Sequence, residues 1–543
     1  MAEGPYAALA DALFPDNKYT PAALEEMYPP RALCEGAAVT RFAPSPTGFL
    51  HIGHLLGAFV DRLLADQTGG VFFLRLEDTD KKREVEDGVT GIVESLRGSG
   101  IAIDEGVIGF GEETGAYGPY TQSQRRELYH TCAKVLVEQG LAYPCFCSAD
   151  ELDALRGKQE REGVNKGYYG QWAKCRALSP DEQTRRVQAG EPYTLRLRSP
   201  GDASRKITVN DLVRGKLELP EYDMDAVLLK ADGIPTYHFA HAIDDHFMRT
   251  THVIRGDEWL ASLPLHAQLF GVLGFRPPKY AHIAPLMKLD PETGGKRKLS
   301  KRKDPESAVR FFSELGYPSA ALLEYLLTLL NSNFEDWRRA NPEAPLSAFP
   351  FSLKKMGAAG ALFDLQKLED VSKNVISRMT AGDVYAQALV WAREYDPALA
   401  ELLGQDEAYA VAMFAIDRGG KKPRKDIARW NQVREAFSYF YDELFECPMT
   451  DAPEILQAYL AVYSAQDDKD TWFAKIKGIC EPLGYCPDVK AYKADPAPWK
   501  GHVGDVSGVI RQAVTGRANT PDLWAVMRVL GARRVKKRLR GAS

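Results

Sequence analysis

The chain has 543 residues, a formal charge of −5 and 45% hydrophobic residues, enough for several domains, each with its own core. It contains no run of about 18 apolar residues, which excludes a transmembrane helix, and its near-neutral balance argues against nonspecific polyanion binding while leaving room for local basic surfaces. Eight cysteines in so long a chain do not suggest a disulfide framework, and residues 1–4 lack the basic start and apolar stretch of a signal peptide, so a cytoplasmic setting is expected.

Residues 1–37 read as an extension, with a short helix near 7–14 and Pro15, Pro29 and Pro30 as punctuation. It carries no chemical motif and is expected to be a packing arm. Residues 38–42 alternate small or apolar with polar residues and predict a short strand. Pro44, Pro46 and Gly48 then force a tight loop. From Leu55 onward Leu56, Phe59, Val60, Leu63 and Leu64 recur at helical spacing. His51 and His54 thus sit where a strand hands over to a helix N-terminus, with free backbone N–H groups and the positive dipole end. Gly53 leaves room for a flat base or a phosphate to approach the backbone. Phosphate chemistry is the natural reading. Residues 71–76 form a nearly continuous apolar strand of the kind buried on both faces. Strand, helix and strand make one half of a doubly wound nucleotide-binding sheet, and residues 77–83 follow at the carboxyl end, where such sheets bind ligands.

A helix is expected from 120 to about 139. Cys145 and Cys147 come next, with Cys175 downstream, then strand-like pieces at 193–198 and 206–210. Residues 226–230, 233–240 and 252–259 are expected to complete the sheet. Residues 296–303 form a dense basic loop. Beyond 305 the periodicity is helical, without a strand pattern like that of the core, and basic clusters lie at 421–425 and 533–540.

His51-Ile52-Gly53-His54 resembles the HIGH motif of class I aminoacyl-tRNA synthetases, and the run from Arg41 to His54 resembles the glutamyl-tRNA synthetases in particular. Glu77-Asp78-Thr79-Asp80 resembles the EDTD segment of the same family. Lys298-Leu299-Ser300-Lys301-Arg302 resembles KMSKS, with Leu in place of Met, a nearly isosteric swap, and Arg in place of the final Ser. Residues 506–516 resemble the anticodon-binding C-terminal domain of bacterial glutamyl enzymes. The resemblance runs from about 38 to 543. It implies an α/β protein: a Rossmann-like parallel-sheet catalytic domain at 38–118 and 237–304, and an α+β insertion at 119–236 that grips the acceptor end of tRNA. All-α domains follow, a stem-contact domain at 305–380 and an anticodon-binding region at 381–543.

The activity implied is ATP-dependent activation of L-glutamate to glutamyl-adenylate, then transfer to the terminal adenosine of tRNA(Glu), by a monomer. ATP comes with Mg²⁺; tRNA(Gln) is left open as a second partner. By resemblance His51, His54, Lys298, Ser300 and Lys301 are catalytic, with Lys301 the first choice for the transition-state cation. Arg41, Ser45, Glu77, Arg83, Tyr237, His241 and Arg255 surround glutamate; the two strand arginines take its carboxylates and Glu77 suits the α-ammonium. His241 stands where family members often have Asn. Thr47, Gly53, His54, Glu258 and Lys301 are expected at ATP. Cys145, Cys147 and Cys175 resemble the zinc knob of some glutamyl enzymes. The histidine found after the third cysteine in zinc-binding relatives is Ala177 here, with Tyr168 or Tyr169 as substitutes, and reduced structural cysteines are preferred over zinc. The competing readings are a glutaminyl enzyme, counted against by residues 43–48; the short tRNA-modifying paralogue, which lacks an anticodon domain; and a catalytically inert tRNA-binding paralogue, counted against by His51, His54 and Lys301.

Overall fold

The computed structural model describes residues 4–542 apart from 47–49, 80–86, 301, 421, 447–448 and 450. Three expected site residues, Thr47, Arg83 and Lys301, lie outside the described residues. The chain divides into two compact units, Met1–Phe311 with Leu326–Phe363, and Phe312–Tyr325 with Asp364–Ser543.

The first unit opens with two short helices, α1 (Ala7–Leu13) and α2 (Pro21–Met27). Thr20 caps α2 by accepting from Ala23 N–H at 3.2 Å. The arm is fastened by Arg31, which forks onto Glu105 at 2.7 and 2.9 Å, and by Tyr28, which donates to Gly118 O at 3.0 Å.

β1 (Val39–Phe42), α3 (Ile52–Thr68) and β2 (Val71–Leu74) follow. The helix starts earlier than the apolar spacing suggests, because His51 is itself the N-cap, its Nδ1 accepting from His54 N–H at 3.2 Å. Gly69, at φ 62° in the left-handed region, ends it. After α4 (Gly88–Gly98) comes β3 (Glu105–Gly109), parallel to β2, and β4 (Glu112–Thr114) closes the edge antiparallel. Phe72, Phe73 and Leu74 are wholly buried, each contributing about 1.5–3 kcal/mol of hydrophobic stabilisation.

The inserted segment holds α5 (Arg126–Glu138), β5 (Ala142–Cys145), α6 (Ala149–Arg161), α7 (Pro180–Gln188) and β6 (Thr194–Leu197). A three-stranded antiparallel sheet runs in the order β5-β6-β9, where β9 is Val227–Leu229, and a separate hairpin, β7 (Lys206–Asp211) and β8 (Gly215–Pro220), packs Val209, Leu217 and Leu219 against Val253, Leu263 and Tyr280.

Residues 233–240, expected in the sheet, instead lead into a helix, α8 (Tyr237–Phe247). Phe239, Ile243 and Phe247 repeat every four residues and are all buried, a helical stripe visible only when the window extends to Phe247. β10 (His252–Gly256) and β11 (Lys279–Ile283) are parallel, with α9 (Leu263–Val272) between them. Thr251 N–H donates to Val39 O at 3.0 Å and Val39 N–H donates to Thr251 Oγ1 at 2.8 Å, which sets β10 beside β1. The strands therefore run β3-β2-β1-β10-β11, and chain order reverses between β1 and β10. That reversal is where a doubly wound sheet opens a crevice beyond its carboxyl ends. The basic stretch expected as a loop begins as a strand, β13 (Lys296–Lys298), antiparallel to β12 (Met287–Leu289).

The second unit is helical. Leu365–Arg378, Ala381–Tyr395, Pro453–Val462, Lys469–Leu483, Val503–Thr515 and Leu523–Gly541 are its longer helices. They share a core that includes Val384, Phe414, Leu456, Ile510 and Val526. The basic run at 533–540 has two faces. Arg538 is buried and donates to Tyr439 O at 2.6 Å and Val514 O at 2.8 Å, whereas Arg533, Lys536, Lys537 and Arg540 are exposed. Among the described residues no helix is long and apolar enough to cross a membrane.

Candidate active site

Two arginines lie near the carboxyl ends of the strands that flank the reversal, Arg41 on β1 and Arg255 on β10. Both are buried, so each cation must be met by charge or hydrogen bonds. Arg41 Nε stands 3.3 Å from Asp245 Oδ1. Asp245, on α8, also accepts from Arg75 Nη1 at 2.7 Å. Burial pushes the Asp245 carboxyl up, but the Arg41 and Arg75 guanidiniums prevail and hold it well below the usual carboxylate range. Arg75 in turn donates through Nη2 to Glu77 at 3.1 Å. Glu77 follows β2, and its N–H donates to Pro44 O at 3.0 Å. Burial pushes the Glu77 carboxyl up to about 7, against the pull of Arg75 and Arg41.

Tyr237 begins α8. Its hydroxyl is pushed up to about 12, first by burial and next by Glu77, while Arg255 and Arg41 pull the other way. Its ring packs on Trp259 at a centroid distance of 4.5 Å and on His241 at 5.9 Å. His241 Nδ1 lies 2.9 Å from Asp245 Oδ2. Its Nε2 is 3.2 Å from the Tyr280 hydroxyl. Burial pushes His241 down to about 4, so it forms a neutral wall of the pocket.

Arg255 donates Nε to His282 Nε2 at 3.0 Å and Nη1 to His266 Nδ1 at 2.9 Å. Its Nη2 is buried and has no hydrogen-bond partner among the described residues. Arg41, Glu77, Tyr237, His241 and Arg255 are thus brought together, and Ser45 is exposed just beyond β1. Two buried guanidiniums and a carboxylate suit a small ligand with two carboxylates and an ammonium.

On the other side of β1, the His51 and His54 rings stack with centroids 3.5 Å apart at the start of α3. Because His51 Nδ1 accepts from the backbone, Nε2 carries the proton of the neutral ring. A Cβ on Gly53 would lie 3.0 Å from His51 Cε1 and Nδ1, so glycine lets that ring lie across the first turn. Lys298 Nζ is 3.7 Å from Glu258 Oε2, both exposed. Ser300 N–H donates to Asp304 Oδ2 at 2.9 Å, and Arg297 forks onto the same carboxylate at 2.6 and 2.8 Å. Val309 N–H donates to Leu50 O at 3.2 Å and His51 bridges Ala308, so the chain leaving the basic stretch lies against the histidine pair.

Sequence reasoning missed Arg75, Asp245, His266, His282 and Asp211. Arg75 inside an apolar strand, and Asp244-Asp245 inside an apolar helix, were available signals of a buried charge cluster.

Cys145, Cys147 and Cys175 offer sulfurs within 4.8 Å of one another, with Cys147 and Cys175 3.7 Å apart. The Tyr168 hydroxyl is 3.3 Å from Cys147 Sγ and accepts from Cys175 N–H at 3.0 Å. Tetrahedral zinc, with Zn–S of about 2.3 Å, sets sulfurs about 3.8 Å apart. The three sulfurs are close enough together to serve as zinc ligands, and the Tyr168 hydroxyl is the oxygen beside them.

A family model described as "tRNA synthetases class I (E and Q), catalytic domain" matches residues 37–339, and one described as "Anticodon binding domain" matches 500–543. A glutamate–tRNA ligase of Clostridium perfringens (strain 13) is 50% identical over 546 residues, covering 98% of this chain and 100% of that protein. One from Acetivibrio thermocellus is 49% identical over 543 residues, covering 98% and 99%. The crystal structure of a glutamate tRNA ligase from Elizabethkingia meningosepticum in complex with its amino acid superposes with a TM-score of 0.72 at 26% identity, covering 93% of this chain and 99% of that one.

Proposed function

We infer the roles of these residues from one premise: the chain belongs to the glutamate–tRNA ligases, class I aminoacyl-tRNA synthetases. It is an enzyme that uses ATP to join L-glutamate to tRNA. In the first step the α-carboxylate of glutamate attacks the α-phosphate of ATP and expels pyrophosphate. A ribose hydroxyl of the tRNA terminal adenosine then displaces AMP. No protein nucleophile is required, so positioning and charge neutralisation supply the catalysis.

The observation that carries the assignment is the pair of buried guanidiniums at the strand reversal, one with an Nη2 that has no partner among the described residues. Arg41 takes the side-chain carboxylate of glutamate, Arg255 orients the substrate through Nη2, and Glu77 holds the α-ammonium beside Tyr237. Ser45 and Arg83 complete the surroundings. His241 serves as the wall behind Tyr237 and not as a charged partner. Thr47, Gly53, His54 and Glu258 receive ATP, which arrives with Mg²⁺. His51 and His54 meet the phosphates at the N-terminus of α3, and Lys298, Ser300 and Lys301 neutralise the leaving pyrophosphate. Lys298 already has an anionic neighbour in Glu258, which holds it near the nucleotide side until the triphosphate displaces it.

The geometry at Cys145, Cys147, Cys175 and Tyr168 favours zinc over the reduced cysteines preferred from the sequence. The ion would staple β5 to the segment around 168–175 as a structural cross-link.

The pocket is tested by Arg41→Ala in tRNA charging at varied glutamate. Loss of the carboxylate's partner is expected to cost about 3–5 kcal/mol, seen as a greatly raised glutamate KM or no charging. Normal charging would show that the pocket lies elsewhere.

A further inference from the structure

A buried chain of hydrogen bonds runs behind Arg255. Asp211 Oδ2 stands 2.7 Å from His282 Nδ1. His282 Nε2 accepts from Arg255 Nε at 3.0 Å, Arg255 Nη1 meets His266 Nδ1 at 2.9 Å, and His266 Nε2 meets His238 Nδ1 at 2.8 Å. Arginine can only donate, so His282 Nε2 and His266 Nδ1 must both be bare. The proton of neutral His282 is then on Nδ1, donated to Asp211, and that of neutral His266 is on Nε2, donated to His238. Burial pushes both rings down, His266 furthest, in keeping with neutral imidazoles. Every proton along the chain is thereby fixed by the guanidinium.

Asp211 is the far anchor. It ends β7, in the hairpin of the inserted segment, outside the strands that carry the site. Its Oδ1 accepts from Val213 N–H at 3.0 Å and Arg214 N–H at 2.8 Å, and its Oδ2 from His282 N–H at 3.1 Å. Arg214, from the same turn, donates to His282 O at 3.3 Å. The hairpin turn therefore holds both the ring and the backbone of His282.

We propose that Asp211 and His282 are positioning residues for the amino-acid site, which fix the Arg255 guanidinium so that Nη2 is the donor presented to glutamate. This rests on the reading that Arg255 touches glutamate. With Nε and Nη1 both committed to imidazoles, the guanidinium plane cannot rotate and Nη2 is aimed before substrate arrives. Substrate discrimination is in this way shared between the sheet and the insertion.

The test uses the full-length enzyme in tRNA charging, with glutamate and ATP KM and kcat measured separately for His282→Phe, His282→Gln, Asp211→Asn and Arg255→Ala. His282→Phe removes the acceptor for Arg255 Nε, and glutamate KM is expected to rise about tenfold or more, with ATP KM changed less than twofold or so. His282→Gln keeps an acceptor oxygen and should recover glutamate KM to within about threefold of the parent. Asp211→Asn, nearly isosteric, should raise glutamate KM in the same direction as His282→Phe. If His282→Phe and His282→Gln share one glutamate KM, or glutamate and ATP KM rise together, the positioning role is overturned. If His282→Phe does not fold, Asp211→Asn decides alone: unchanged glutamate KM overturns the proposal. Arg255→Ala separates the two levels, since unchanged glutamate KM there refutes the pocket itself and not merely its support.

Discussion

His54 is exposed at the first turn of α3, its N–H already tied to His51 Nδ1. The N-cap is His51, so His54→Ala should leave the helix intact while removing one preorganised donor to the triphosphate. A loss of about 10²–10³ in the rate of adenylate formation is expected, read by single-turnover kinetics; unchanged turnover would remove His54 from the site. Glu77 gives a different signature. Its carboxyl is pushed up to about 7 by burial, so the free enzyme carries a neutral acid below that pH. Binding an ammonium requires the carboxylate, so kcat/KM for glutamate should fall as pH drops through about 7, and Glu77→Gln should flatten the profile at a low level. The stability sign is opposite. An unfolded carboxyl ionises first, so this group lowers stability as pH rises from about 4.5 through 7. A wild-type kcat/KM that is flat across that window would contradict the role given to Glu77.

At the scale of elements, what the sequence showed was what lies contiguous along the chain. The turn into α3 was legible because strand, prolines, histidines and apolar spacing follow one another within about twenty residues. α8 was misread because its first residues sit among apolar neighbours, and its helical stripe appears only when Phe247 is included. Partnerships were out of reach. Arg41 and Asp245 are 204 residues apart in the chain and Asp211 and His282 are 71 apart, so no local pattern joins them. The cysteine cluster is intermediate: its three sulfurs were visible, but Tyr168 became the favoured fourth donor only when its hydroxyl was found beside Cys147. Metal analysis of protein purified without chelator should find near-stoichiometric zinc, lost in Cys145→Ser with a lowered Tm. Metal-free wild-type protein would return these residues to a reduced, purely packed cluster.

At the scale of the molecule, the residues assigned to chemistry and the basic face at 533–540 lie in different units. The first unit carries the buried arginines and the histidine pair. The second is all but wholly helical among its described residues and turns Arg533, Lys536, Lys537 and Arg540 outward while burying Arg538 in its own framework. Within 533–540 the exposed four, and not Arg538, are suited to phosphate contacts, whose strength falls as salt rises. The overall charge of −5 hides that face, which is why composition said little about nucleic acid. The central claim is that this chain activates glutamate and delivers it to tRNA. The direct measurement is a filter assay of the full-length enzyme with ATP and Mg²⁺, offering each amino acid in turn to purified tRNA(Glu) and tRNA(Gln). Radiolabelled glutamate should be retained on tRNA(Glu), and glutamine on neither; label on tRNA(Gln) would identify a second acceptor for the same glutamyl group. Charging with glutamine or any other amino acid, and none with glutamate, would contradict the account.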